Sequence, residues 1–151
     1  MELFSKPSYP SKMKKKSSAP SPKLKLCAAE WTLRDHPSAA KEWSIDRKVK
    51  AAKEAGFVGL SAGAAPDIVQ ACSKYGIQLI GMTDISSVGE VESKLDRFKG
   101  SSATHVNVQL CDHDTAIPKA VTIARKAILY GESIGLKPAI EWHRDTCTET
   151  P

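Results

Sequence analysis

The most reactive run of side chains in this sequence is EWHRDTCTETP, from Glu141 to Pro151. A carboxylate, an imidazole, a guanidinium and a thiol follow one another there. Such groups bind metal ions, transfer protons and contact sugar or phosphate oxygens. Alternate residues of a strand point to the same side, so Glu141 and His143 are predicted to share a face. A plainer alternative for Glu141 is a buried carboxylate paired with Arg144.

A second polar set lies in HVNVQL, where Asn107 and Gln109 alternate with Val106, Val108 and Leu110. Alternation with a period of two predicts a strand with an apolar face and a polar face. The apolar face is expected to pack under helices, and the two amides are expected to face the other way. Amides at a strand end suit sugar hydroxyls, and the alternative is a hydrogen-bonded polar layer of the core.

Two further residues are candidates because of their positions after strands. Glu30 ends the first predicted strand and is expected to face the same edge as the other polar groups. His113 lies in the run CDHD after the fourth strand. The spacing of that run matches no zinc template. His113 is therefore predicted to be a loop residue that contacts substrate.

The elements that position these residues follow a repeating rhythm, in which a helical stretch ends at glycine and an apolar strand follows. Strands are predicted over 24–31, 57–60, 77–80, 103–110 and 136–141, with helices beginning near 44, 66, 87 and 115. Glycine at a helix end tolerates the left-handed conformation that turns the chain back. Strands that alternate with helices indicate βαβ units and a parallel sheet.

Two architectures fit this rhythm, an open doubly wound sheet and part of a (β/α)8 barrel. The loop after the first predicted strand contains no glycine, and no G-x-G-x-x-G or P-loop pattern occurs in the sequence. Polar residues follow most of the strands, as they do at the mouth of a barrel. The predicted fold is therefore α/β, a partial (β/α)8 TIM barrel of about five parallel strands and four helices, truncated after strand five.

The positive charge of the chain lies in its first residues. Residues 1–26 hold seven lysines and one glutamate, so the rest of the chain carries about −1 of the net charge of +5. Residues 1–23, rich in Ser, Pro and Lys, are predicted to be a disordered tail, and residues 24–151 a folded unit. A nearly neutral folded unit argues against nucleic acid. No apolar run is long enough for a membrane, and scattered cysteines favour the cytoplasm.

The segments AEWTLRDHPS, AAKEAGFVGLS, HVNVQLCDHDT and EWHRDTCTETP together resemble the sugar phosphate isomerase/epimerase family of xylose isomerase-like TIM barrels. The likeness runs from about Leu24 to Pro151. It implies a divalent Mn, Mg, Co or Zn ion, with Glu141 as the ligand from strand five. It also implies a small-molecule sugar or sugar phosphate as substrate, and proton abstraction next to a carbonyl with Glu141 as base. Substrate contacts are then expected from His143, Asn107, Gln109, His113 and Glu30.

A whole barrel needs about 250 residues, and the resemblance places three later metal ligands after the end of this sequence. We therefore expect an incomplete and inactive fragment, which self-associates through open sheet edges. Two alternatives stay open. One is an endonuclease IV-like barrel, although the early strands offer no histidine ligands. The other is a non-catalytic α/β module whose basic tail binds an acidic partner or a membrane surface.

Overall fold

The computed structural model describes residues 24–149, so the predicted tail over 1–23 lies outside the described residues. Five strands are present, β1 (Cys27–Ala29), β2 (Gly59–Ala62), β3 (Gln78–Ile85), β4 (His105–Leu110) and β5 (Lys137–Ile140). Four α-helices alternate with them, α1 (Ile45–Glu54), α2 (Pro66–Tyr75), α3 (Val91–Asp96) and α4 (Ile117–Ser133). The predicted alternation of five strands and four helices is confirmed. Within residues 24–149, no helix combines the length and apolar content needed to cross a membrane.

All neighbouring strands are parallel, and their order in the sheet is the order of the sequence, β1-β2-β3-β4-β5. Right-handed crossovers that always step in the same direction leave every helix on one face of the sheet. A doubly wound sheet reverses direction and carries helices on both faces. The described sheet is therefore compatible with part of a TIM-like fold.

The core lies between the helices and one face of this sheet. Alternate strand residues Leu60, Leu79, Val106 and Val108 are almost completely buried, and Ile123 of α4 packs into the same cluster. Full burial of such a side chain contributes roughly 1.5–3 kcal/mol. The residues between them, on the opposite face, are half-buried or exposed. The predicted division of β4 into an apolar face and a polar face is confirmed.

Two glycines shape the packing that places the ends of the strands. Gly76 follows α2 in the left-handed conformation (φ 60°, ψ 42°), as the sequence predicts. Gly131 lies inside α4 against β5, where an added Cβ would be 2.2 Å from Pro138 Cγ. The missing side chain lets α4 approach β5 closely. That contact holds the strand which leads into Glu141.

Three boundaries differ from those predicted. The first strand is short, because the Thr32 hydroxyl donates to the Ala29 carbonyl (2.7 Å) and the chain turns into a 3-10 helix over Glu30–Leu33. Glu30 therefore begins this turn and does not end a strand. The third strand is longer than predicted and includes Asp84, since β3 pairs with β4 as far as Ile85. A 3-10 turn over Val88–Glu90 replaces the first part of the third predicted helix.

Candidate functional site

The carboxyl ends of β3, β4 and β5 bring three polar residues into one row across the sheet. Asp84 pairs with Gln109 in the β3–β4 register, and Val108 pairs with Ile140 in the β4–β5 register. The Glu141 amide donates to the Val108 carbonyl (2.9 Å), which continues the ladder by one residue. Glu141 therefore stands beside Gln109. We call Asp84, Gln109 and Glu141 the polar row, and its outer Cα positions are about 10 Å apart.

Glu141 carries the most unusual atom of the row. Its Oε2 is buried, and it is the one buried side-chain nitrogen or oxygen without a hydrogen-bond partner among the described residues. Within the described residues no ion pair joins Glu141 to Arg144, so the structure does not show the pairing that is the plainer alternative role for Glu141. A buried acceptor without a partner costs roughly 1–3 kcal/mol. Such groups are rare in native proteins, and a catalytic role is one of the explanations for them.

The amides of β4 face the same side as this carboxylate. Gln109 and Asn107 are half-buried, and Asn107 pairs with Met82 on one side and Ala139 on the other. Within residues 24–149, neither side-chain amide makes a hydrogen bond to another protein group. The amides therefore retain their donors and acceptors for a bound molecule.

Asp84, at the other end of the row, is already paired. Its Oδ2 lies 2.8 Å from Lys94 Nζ on α3, and the residue is largely exposed to solvent. The hydrogen bond from Lys94 lowers the pKa of the Asp84 carboxyl more than burial raises it. Asp84 is therefore ionised at neutral pH and held in an ion pair. It contributes negative charge at the edge of the row.

Residues Glu141–Glu149 form a compact turn, here called the C-terminal turn, which is held by threonine hydroxyls. Thr148 Oγ1 donates to the Glu141 carbonyl (2.8 Å), and Thr146 Oγ1 donates to the His143 carbonyl (2.6 Å). Thr146 is buried. Sequence reasoning missed both threonines as positioning residues. The available signal is the T-x-T spacing just after a strand, since such hydroxyls bond to nearby backbone.

His143 is half-buried in the C-terminal turn, and its Nδ1 lies 2.6 Å from the Arg144 carbonyl oxygen. A carbonyl oxygen only accepts hydrogen bonds, so Nδ1 carries the proton. In the neutral ring, Nε2 is then left as an acceptor. His143 can therefore receive a hydrogen bond from a hydroxyl group.

Glu30 belongs to a different cluster. Its Oε1 lies 3.6 Å from Lys48 Nζ of α1, and Lys48 also pairs with Glu42. The Lys48 side chain is only 3% exposed, and the hydrogen bond to Glu42 raises its pKa. Since β1 and β5 stand at opposite edges of the sheet, the structure does not bring Glu30 beside Glu141. Lys48 was missed in the sequence because a lysine on an amphipathic helix is normally exposed.

Among the described residues, His113 forms no hydrogen bond or ion pair with the polar row. It is 61% exposed in the loop after β4, and its Nε2 lies 3.4 Å from Asp114 Oδ1. The residues that the structure does bring to the β4–β5 end are Glu141, Gln109, Asn107 and His143. A groove of about 650 Å³ lies elsewhere, between α2 and the end of α3, and none of these four lines it.

For the metal implied by the family resemblance, the described residues offer one candidate ligand, Glu141. Its buried Oε2 has no hydrogen-bond partner and so has free lone pairs for a cation. Within residues 24–149, no three His, Cys, Asp or Glu side chains come together in a group that could hold a metal ion. One carboxylate does not make a metal site. The described residues thus supply only one of the ligands that such a metal needs.

Comparison of the chain with protein-family models, with curated proteins and with solved structures found no match. The family resemblance therefore rests on the sequence segments alone, and the structure adds the α/β fold with five parallel strands and the polar row.

Proposed function

We propose that this chain contributes the strand-four and strand-five part of the active site of a sugar or sugar phosphate isomerase or epimerase, built on a partial (β/α)8 barrel. The observation that carries the proposal is the buried, unpartnered Oε2 of Glu141 at the carboxyl end of β5. In parallel barrels, the loops after the strands hold the chemistry. A carboxylate that is left unsatisfied at that edge has the position and the free lone pairs of a catalytic base.

The reaction class requires removal of a proton from a carbon next to a carbonyl group, followed by its return. In our proposal Glu141 accepts that proton, because a positioned carboxylate is an effective general base. Its shielding from water strengthens each electrostatic contact that it makes with a substrate. If a divalent ion binds, its chemistry is the polarisation of the carbonyl oxygen.

The neighbouring groups then orient the sugar. Gln109 and Asn107 offer amide donors and acceptors to hydroxyl groups from the same face as Glu141. His143 offers Nε2 as an acceptor. Thr146 and Thr148 position this set indirectly, since they hold the backbone of the C-terminal turn. Orientation of this kind is worth several kcal/mol of a reaction barrier, up to roughly 7–11.

An NMR titration tests the proposal on the whole 151-residue chain. The isotopically labelled protein is titrated with ketopentoses, ketohexoses and their phosphates. We expect concentration-dependent shifts at Asn107, Gln109 and Glu141, which Glu141→Gln abolishes. Glu132→Gln is the matched control, because Glu132 is an exposed carboxylate on α4. Equal shifts in both variants, or shifts centred on Glu30, would contradict the proposal.

A second measurement separates the reaction types. Solvent deuterium incorporated at the carbon next to the carbonyl reports proton abstraction by either enzyme class. Interconversion of aldose and ketose identifies an isomerase, and inversion at that carbon identifies an epimerase.

A further inference from the structure

The C-terminal turn also contains a thiol for which the proposed chemistry has no use. Cys147 Sγ donates to the Leu110 carbonyl oxygen at 3.0 Å, and its backbone amide donates to the same oxygen at 3.2 Å. Cys111 directly follows Leu110 at the end of β4, so the two hydrogen bonds from Cys147 to the Leu110 carbonyl bring the two cysteines close together. Two half-buried cysteines from distant parts of the chain therefore meet beside the polar row.

The backbone hydrogen bonds show how the two cysteines are aligned. The bond from the Glu141 amide to the Val108 carbonyl accompanies lateral pairing of Gln109 with Glu141. The bond from the Cys147 amide to the Leu110 carbonyl (3.2 Å) joins the C-terminal turn to the peptide group directly before Cys111, whose backbone is left-handed (φ 56°). A backbone hydrogen bond to the carbonyl of the preceding residue brings the two Cα atoms to within roughly 5–7 Å of each other. Disulfides form when the Cα atoms are roughly 4.4–6.8 Å apart.

We propose that Cys111 and Cys147 form a redox-active dithiol, which a low-molecular-weight disulfide such as glutathione disulfide converts into an intrachain disulfide. One protein thiolate attacks a sulfur of the oxidant, forms a mixed disulfide and expels one small thiolate. The other protein thiolate then attacks the protein-side sulfur of the mixed disulfide and expels the second small thiolate. The protein loses two protons and two electrons, and the oxidant becomes two thiols.

The surroundings of the pair favour a slow reaction at neutral pH. Burial raises the pKa of the Cys111 thiol, and the nearby Cys147 raises it further. Thiolates are the attacking species, so exchange is expected to accelerate as pH rises. Once formed, the bond joins the end of β4 covalently to the turn that carries Glu141 and His143. The inference rests on the placement of the thiols and not on the proposed function.

The test is peptide mapping of the whole chain after equilibration with glutathione disulfide and alkylation of the remaining thiols. The reduced chain has four free cysteines. We expect oxidation to leave two alkylated, Cys27 and Cys72, with the protein lighter by two hydrogen atoms and with a Cys111–Cys147 cross-linked peptide. Cys27→Ser, at the exposed first strand, is the matched control and should leave the cross-link unchanged. Cys147→Ser should remove it.

Three results would overturn the inference. One is separate glutathione adducts on Cys111 and Cys147 without a cross-link. Another is full alkylation of both after prolonged equilibration with glutathione disulfide at raised pH. The third is a cross-link that forms in the same proportion in concentrated urea, since pairing that depends on the fold must lose its preference when the chain unfolds.

Discussion

Replacement of Glu141 by methionine should stabilise the protein while it removes ligand binding. The side chain of methionine has a similar length and carries no strongly polar atom, so the change eliminates the buried Oε2 that has no partner. An unsatisfied buried acceptor costs roughly 1–3 kcal/mol. Glu141 as a whole is half-buried, so we take the lower end. The free energy of unfolding should rise by about 1 kcal/mol, which raises the melting temperature by roughly 2–8 °C.

Urea unfolding followed by circular dichroism measures this change, and the titration with sugars measures binding in the same samples. The matched control is Glu132→Met on the exposed side of α4. An exposed substitution of this kind should alter stability by no more than about 0.5 kcal/mol. The reasoning is refuted if Glu141→Met destabilises the protein, because the carboxylate then has a structural partner. It is equally refuted if sugar binding survives.

Three other perturbations have outcomes that the structure determines. Gly131→Ala should lower the free energy of unfolding measured in urea by about 1–3 kcal/mol, since the added Cβ would overlap Pro138. Gly89→Ala should have little effect, because the nearest atom to its added Cβ is 4.0 Å away. Lys48→Met should lower the unfolding midpoint more than Glu42→Gln does, because Lys48 is buried and has two carboxylate partners while Glu42 is 40% exposed. Equal effects of the two substitutions would contradict this reasoning. Hydrogen bonds from Lys74 and then Tyr75 lower the pKa of Asp46 in the folded protein. The contribution of Asp46 to stability is therefore present above the unfolded pKa of about 3.9 and is lost as pH falls through the lower folded value. Asp46→Asn should flatten the acid side of a plot of unfolding midpoint against pH, and an unchanged plot would contradict the assignment.

The parts of the fold that follow local rules are the parts that the sequence predicts. Gly76 terminates a helix with a left-handed residue, and β4 alternates between Val106, Val108 and the amides Asn107 and Gln109. Both patterns depend on residues within a few positions of one another. The number and order of strands and helices follow from the same patterns.

Features that depend on distant partners were not predictable. The extension of β3 to Asp84 comes from pairing with β4, since the residues between Gly81 and Asp84 lack apolar alternation of their own. Glu30 is drawn to Lys48, which lies far along the chain from it. Such tertiary contacts override local preference.

The positions of the candidate residues in the fold were predictable in part, for the same reason. Glu141 and Gln109 come from strand ends, where parallel topology collects side chains at one edge, and Asn107 lies two residues before Gln109 on the same face of β4. His113 and Glu30 lie in turns whose direction is decided by local hydrogen bonds and ion pairs. The hydroxyls of Thr146 and Thr148 became recognisable as positioning groups only when their carbonyl partners were known.

The most direct test of Glu141 as the base of a sugar isomerase or epimerase is affinity labelling with an epoxide analogue of a sugar phosphate, such as glycidol phosphate. A carboxylate that is placed to accept the substrate proton attacks the epoxide and becomes an ester. We predict that peptide mapping finds this ester on Glu141, that a ketose phosphate protects against it, and that concentrated urea prevents it. An ester distributed over exposed carboxylates such as Asp84 and Glu132, without protection by the sugar, would contradict the account.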